Sequence, residues 1–199
     1  SSWRGYNDGQ GITEVFETLA SRKKVDNMAQ IPMPIVIPSV DIKEEKEYIF
    51  TNQIPLNAEK EEAKYITNIT VGEAVRASSS FPAVFNLCNI KEHAFMDGGA
   101  LDNVPVREVK KQGADKVIAV KFEGEAITEE SSVMDIVMKT VDIMGNKIIE
   151  EELKQSDYII NISTEKMGLL DTSKIDECYQ YGYEAVMKNW DAIITALQV

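Results

Sequence analysis

Asp97-Gly98-Gly99 closes the apolar run Ala94-Phe95-Met96, and no other stretch constrains the fold of this chain so tightly. A short apolar run ended by two glycines reads as a strand that stops and turns. Two successive residues without Cβ atoms let the backbone take φ > 0 and pass close to another group. An acid at that junction is carried to the end of a strand and not buried within it. That placement suits a group serving a pocket at the carboxyl edge of an α/β sheet. An Asp-Gly pair is also an ordinary turn signal, so the spacing alone assigns no chemistry.

Upstream, Thr70 and Glu73 have capping-box spacing and open a helix through Ala74, Val75 and Ala77 that Pro82 ends. Ser78, Ser79 and Ser80 close that helix. They lack the flanking glycines that expose a nucleophilic hydroxyl on a strand-turn-helix elbow, so they read as residues that satisfy backbone or pack. His93 is the only histidine; beside Lys91 and Glu92 it reads as a surface residue of the turn entering the Asp97 strand. Downstream, Pro105 suits a first helical turn and Gly113 a C-terminal cap. Residues 116–121 (K-V-I-A-V-K) then read as a buried strand, the next β of a βαβ unit.

Elsewhere, Asn7-Asp8-Gly9 marks a turn, and Ile12, Val15, Phe16 and Leu19 form one apolar helix face closed by Arg22-Lys23-Lys24. Residues 31–40 are β-branched but carry Pro32, Pro34 and Pro38, so propensity allows only a short strand over 35–37. A hairpin turn over 41–47 leads to a second strand, 48–52. Ser132 and Asp135 cap a long helix with an apolar stripe of Val133, Ile136, Val137, Val141, Met144 and Ile148. Core packing is the default for that stripe; Met134, Met138 and Met144 lining an acyl groove is the alternative. Residues 158–162 form a strand. A last helix, 173–197, turns Ile175, Tyr179, Val186, Met187, Trp190, Ile193, Ile194 and Leu197 inward. Strands alternating with helices give an α/β fold: layered, with a mainly parallel sheet and helices on both faces.

Composition narrows the partners. With 44% hydrophobic residues in 199, the chain has a real core. A formal charge of −12 repels phosphate backbones, which excludes nucleic acid and disfavours adsorption to anionic lipid. No apolar run approaches the roughly 20 residues of a spanning helix. Cys88 and Cys178 suggest neither a disulfide framework nor a zinc site, and reduced thiols fit a cytoplasmic location. No cluster of oxygen ligands suggests calcium, and no G-x-G-x-x-G or P-loop accompanies the strands, so neither metal nor cofactor is expected.

A-S-S-S-F-P-A-V-F from Ala77, D-G-G-A-L-D-N-V-P-V from Asp97, G-A-D-K-V-I-A-V from Gly113 and G-L-L-D at 168–171 together resemble the second half of a patatin-like phospholipase of the bacterial type. The resemblance is strongest over 70–122 and extends over most of the chain. It implies a single patatin-like α/β domain over 1–199, represented by its C-terminal portion, with a sheet strand in the proline-rich segment 31–40. It implies a Ser-Asp site in which Asp97 partners a nucleophilic serine, with Gly98, Gly99 and Asn103 supporting the catalytic loop. The family's G-x-S-x-G and glycine-rich oxyanion loop occur nowhere in this sequence. The expectation is that both lie upstream of Ser1, in a missing N-terminal half-domain, and the absence of an initiator Met agrees. The implied substrate is a lipid ester or phospholipid, met in transient contact with a membrane surface. The contrasting expectation is a non-catalytic α/β binding or assembly module that keeps the fold without the chemistry.

Overall fold

The computed structural model describes residues 7–82, 84–123, 127–129, 131–164 and 172–198, which divide into two compact units, Ser1–Gly113 and Ala114–Val199. The first contains α1 (Gln10–Arg22), β1 (Val36–Asp41), β2 (Lys46–Thr51), β3 (Lys64–Ile66), α2 (Val71–Ser78), β4 (Cys88–Ile90), β5 (His93–Asp97) and α3 (Val106–Lys111). Its sheet runs β3-β2-β1-β5-β4. Only β2 and β3 are parallel; β1–β2, β1–β5 and β4–β5 are antiparallel. The sheet is therefore mixed, where the sequence reading expects a mainly parallel one. Two tight turns with left-handed residues, Glu45 (φ 54°) and Lys91 (φ 53°), reverse the chain, and a hairpin yields only antiparallel neighbours.

β1 is central and runs through Pro38, beyond the short strand that propensity allows. A proline is tolerated here because of where the ladder ends. Pairing of β1 with β5 begins at Ser39↔Asp97, which makes Pro38 and Gly98 the next opposed pair. In that pair Pro38 has no N–H to give. The Gly98 carbonyl instead accepts the N–H groups of Leu101 (3.1 Å) and Asp102 (2.9 Å), and the chain leaves the sheet in a 3₁₀ turn over Gly98–Ala100.

α2 covers one face of this sheet. Its start is fixed by the expected reciprocal cap, Glu73 N–H to Thr70 Oγ1 and Thr70 N–H to Glu73 Oε2. Ala74 and Ala77 are fully buried against Phe50, Phe95, Tyr48, Met28 and Ile69. Phe50 and Phe95 meet edge-on, with ring centres 5.1 Å apart. Burying each such ring contributes about 1.5–3 kcal/mol. α1 meets α2 where Gly72 lets Thr13 and Glu17 come close, so Val15 and Leu19, expected on a packed face, stay exposed.

In the second unit, β6 (Ile118–Glu123), α4 (Val133–Leu153) and β7 (Tyr158–Ser163) form the βαβ crossover, with β6 and β7 parallel. The crossover is built on β6 and β7, and β5 and β6 lie in different sheets. Ile160 and Ile162 pack with Val186 of α5 (Ile175–Lys188) and with Ile193 and Leu197 of α6 (Trp190–Leu197). Several expected core positions are exposed instead: Val120 on β6, and Tyr179, Met187 and Trp190 near the C-terminus. The α4 stripe Val133, Ile136, Val137, Val141, Met144 and Ile148 is exposed as well, while Ile149 and Leu153 are buried. α4 carries apolar residues on more than one side, and spacing alone does not choose which side packs. The side chains of Met134 and Met138 and the segment 168–171 lie outside the described residues. No helix among the described residues is long and apolar enough to cross a membrane.

Candidate active site

Asp97 is the last residue of β5 and the N-cap of the 3₁₀ turn, as an acid before two glycines suggests. Its Oδ1 accepts the Gly99 N–H at 2.8 Å. Among the described residues this is the carboxylate's only hydrogen bond, and no cation pairs with it. Burial pushes the Asp97 carboxyl above the ordinary aspartate range, and the Gly99 N–H offsets part of that rise. The result is a half-buried carboxylate whose second oxygen remains available to a reacting proton.

The glycines serve space, not φ. Neither has a positive φ, contrary to one expectation of the motif. A Cβ on Gly98 would stand 2.3 Å from the Pro38 carbonyl oxygen, and one on Gly99 would stand 3.0 Å from both Asp97 Oδ1 and Asn103 Oδ1. Asn103 is exposed, with its side-chain oxygen beside Gly99. Asp102, which the motif reading passes over, is a second acid on the turn, 2% exposed.

The Asp97 backbone is held by a scaffold that the sequence does not announce. Its N–H donates to the Ser80 carbonyl at 3.1 Å. Ser80 is fully buried, and its hydroxyl donates to the Arg76 carbonyl (2.8 Å) and accepts from Arg76 Nη1, so it is no free nucleophile. Arg76 is itself 4% exposed. Its Nε and Nη2 donate to the Asp8 carbonyl (3.0 and 2.6 Å), and Nη2 also reaches the Asn86 carbonyl (2.7 Å). One guanidinium thus ties the chain before α1, the end of α2 and the segment before β4 to the residue that holds Asp97. The one sequence sign was a basic residue inside an otherwise small, apolar helix face.

Two further polar clusters flank the sheet. His93, expected at the surface, is only 14% exposed; its Nδ1 lies 2.6 Å from Oδ2 of Asp41, which is itself 1% exposed. Burial works against ionising Asp41, but the His93 contact and the N–H groups of Lys43 and Ala94 bring its carboxyl below the usual range. At the other cluster, fully buried Glu108 accepts from Tyr65 Oη (2.8 Å) and Lys111 Nζ (2.7 Å), and Lys111 also bonds Glu61 (2.7 Å). Burial and Glu108 push the Tyr65 phenol up to about 12, so it stays a neutral donor. This cluster joins α3 to β3.

The first unit is thus a mixed α/β sheet that carries a half-buried acid from a strand end into a glycine turn. The family model described as Patatin-like phospholipase matches residues 1–110, more than half of the chain, and the chain belongs to that family of lipid acyl hydrolases. The match runs through the first unit into α3 and includes Asp97, Gly98, Gly99 and Asn103.

Proposed function

We propose that the protein is a serine lipid acyl hydrolase working through a Ser-Asp dyad, with Asp97 as its base. In this reading residues 1–199 are the C-terminal portion of one patatin-like domain, and the nucleophilic serine lies in polypeptide N-terminal to Ser1. The observation that carries it is the state of Asp97: half-buried, at a strand end, uncompensated by any cation among the described residues, and engaged through one oxygen only.

The chemistry follows from that state. The ionised Asp97 carboxylate takes the serine Oγ proton as Oγ bonds to the ester carbonyl carbon. The tetrahedral oxyanion requires backbone N–H donors, supplied by a glycine-rich loop that is also placed upstream. Collapse breaks the ester C–O bond, Asp97 returns its proton to the leaving alcohol, and an acyl-serine remains. Water then attacks the acyl carbon while Asp97 takes its proton, and the serine leaves as a neutral hydroxyl. A dyad of this kind needs no histidine, which agrees with His93 being spent on Asp41. Lipid ester or phospholipid is the substrate class, reached by transient contact with a lipid surface.

The competing reading, a non-catalytic α/β module, is favoured by one observation: none of the 199 residues forms G-x-S-x-G. The full-length protein separates the two. A fluorophosphonate probe should label one serine N-terminal to Ser1, and Asp97→Asn should lower hydrolysis of a p-nitrophenyl ester by about 10²–10⁴-fold. A full-length protein with no labelled serine and no esterase activity is the binding module.

A further inference from the structure

We infer that Asp41, Glu44 and His93 form a binding site for one divalent transition-metal ion of the zinc type, separate from Asp97 and independent of the hydrolase reading. The three residues are scattered in sequence. Asp41 ends β1, Glu44 lies in the β1–β2 turn, and His93 opens β5 beside β1. The fold brings one ligand atom of each residue within 4.8 Å of the others, with Asp41 Oδ2 2.6 Å and Glu44 Oε1 3.7 Å from His93 Nδ1.

The surroundings are those of a ligand set whose outer shell is already made. Each carboxylate turns its remaining oxygen to a donor: Asp41 Oδ1 accepts the Lys43 N–H (2.9 Å), and Glu44 Oε2 accepts the Tyr48 hydroxyl (3.0 Å). Ligating carboxylates are oriented in this way, and the partners keep the inner oxygens facing inward. The His93 ring is fixed between Tyr48 (4.9 Å) and Phe95 (5.4 Å), with its other nitrogen 3.8 Å from Glu92 Oε1. Bond lengths of about 2.0–2.2 Å in a tetrahedral site put neighbouring ligand atoms about 3.4 Å apart. The Oε1–Nδ1 spacing is close to that already, and the Asp41–His93 contact opens by less than an ångström. Binding replaces the Nδ1 proton, which leaves to solvent. Glu44, 43% exposed, gives the ion a way in and leaves the fourth position to water.

One imidazole nitrogen with two carboxylate oxygens suits zinc-like ions; magnesium and calcium prefer six or more oxygens and are poorly served. Four residue steps along β5, about 13 Å, separate His93 from Asp97, so the ion would fasten the β1–β2 turn to β5 without entering the hydrolytic chemistry.

The test is calorimetric titration of the protein with ZnCl2, with MgCl2 as the contrast and thermal unfolding in parallel. Expected are one zinc site per chain, proton release on binding, a raised melting temperature, and at least tenfold weaker binding in both Glu44→Gln and His93→Gln. Glu44 is half-exposed, so its variant folds and decides the matter alone should His93→Gln unfold. Binding unaffected by Glu44→Gln, equal uptake of magnesium, or no zinc uptake would overturn the site.

Discussion

The backbone N–H of Asp97 donates to the carbonyl oxygen of Ser80 at 3.1 Å, and Ser80 is gripped by Arg76. The acid's position is therefore set from a helix end that touches no reacting atom. Arg76→Lys keeps the charge but loses the planar fork that reaches the Asp8 and Asn86 carbonyls together. It should cost about 2–4 kcal/mol, since buried carbonyls lose charged donors. Denaturant titration checks this; an unshifted midpoint would show that the guanidinium contacts carry no stability.

Asp97→Asn keeps an acceptor for the Gly99 N–H and removes the proposed base. Ester hydrolysis by the full-length protein should fall by about 10²–10⁴-fold, the range for losing a general base. Stability should move the other way. The native pKa of Asp97 is raised, so its protonated form is favoured by folding, and that contribution is lost as pH rises through the native value. Below both pKa values aspartic acid and asparagine are both neutral. The variant's melting temperature should thus match wild type in acid and exceed it towards neutrality.

The same shift fixes the pH profile. The proposed mechanism needs the carboxylate, so the acid limb of kcat/KM should have its midpoint above 3.8, the ordinary aspartate value. A limb at or below that value would mean another group serves as the base.

How much of this was legible follows physical lines. The Thr70–Glu73 and Ser132–Asp135 caps are local hydrogen-bond patterns and read directly from spacing. The strand end at Asp97 was legible because two glycines follow it. Strand direction was not, since composition does not say whether a connection is a hairpin or a crossover. Arg76, Asp41 and Glu108 were missed for a common reason. A charged residue in sequence looks solvated, and only the fold reveals partners dozens of residues away that permit its burial. The exposed stripes of α1 and α4 are the reverse case, in which periodicity marks an apolar face without saying what meets it.

Gly98→Ala places a methyl group against the Pro38 carbonyl, a backbone atom that cannot swing aside. A loss of about 1–3 kcal/mol is expected from such overpacking, with the Asp97 turn displaced and activity reduced along with it. Gly113→Ala is the control: its φ of 96° strains alanine, but no atom stands within 4 Å of the added Cβ. It should cost stability alone and leave the activity per folded molecule unchanged.

Lys111→Met removes the nearer of the two cations beside buried Glu108, leaving Arg107 Nε at 3.7 Å, and should destabilise by about 1–3 kcal/mol, the cost of a buried acceptor losing its donor. Glu61→Gln touches the same lysine from the rim and should cost less than about 1 kcal/mol. Equal effects of the two would mean that Glu108 is reached by water.

The proline in the middle of β1 has one more effect, on alignment. Because position 38 offers no hydrogen to position 98, a further rung that would stitch the Asp97 segment into the sheet cannot close. The full stop that ends β5 is therefore written in a different strand, far earlier in the chain. Replacing Pro38 with valine would supply the missing donor, compete with Leu101 and Asp102 for the Gly98 oxygen, and draw the acid back into the fabric from which it now projects.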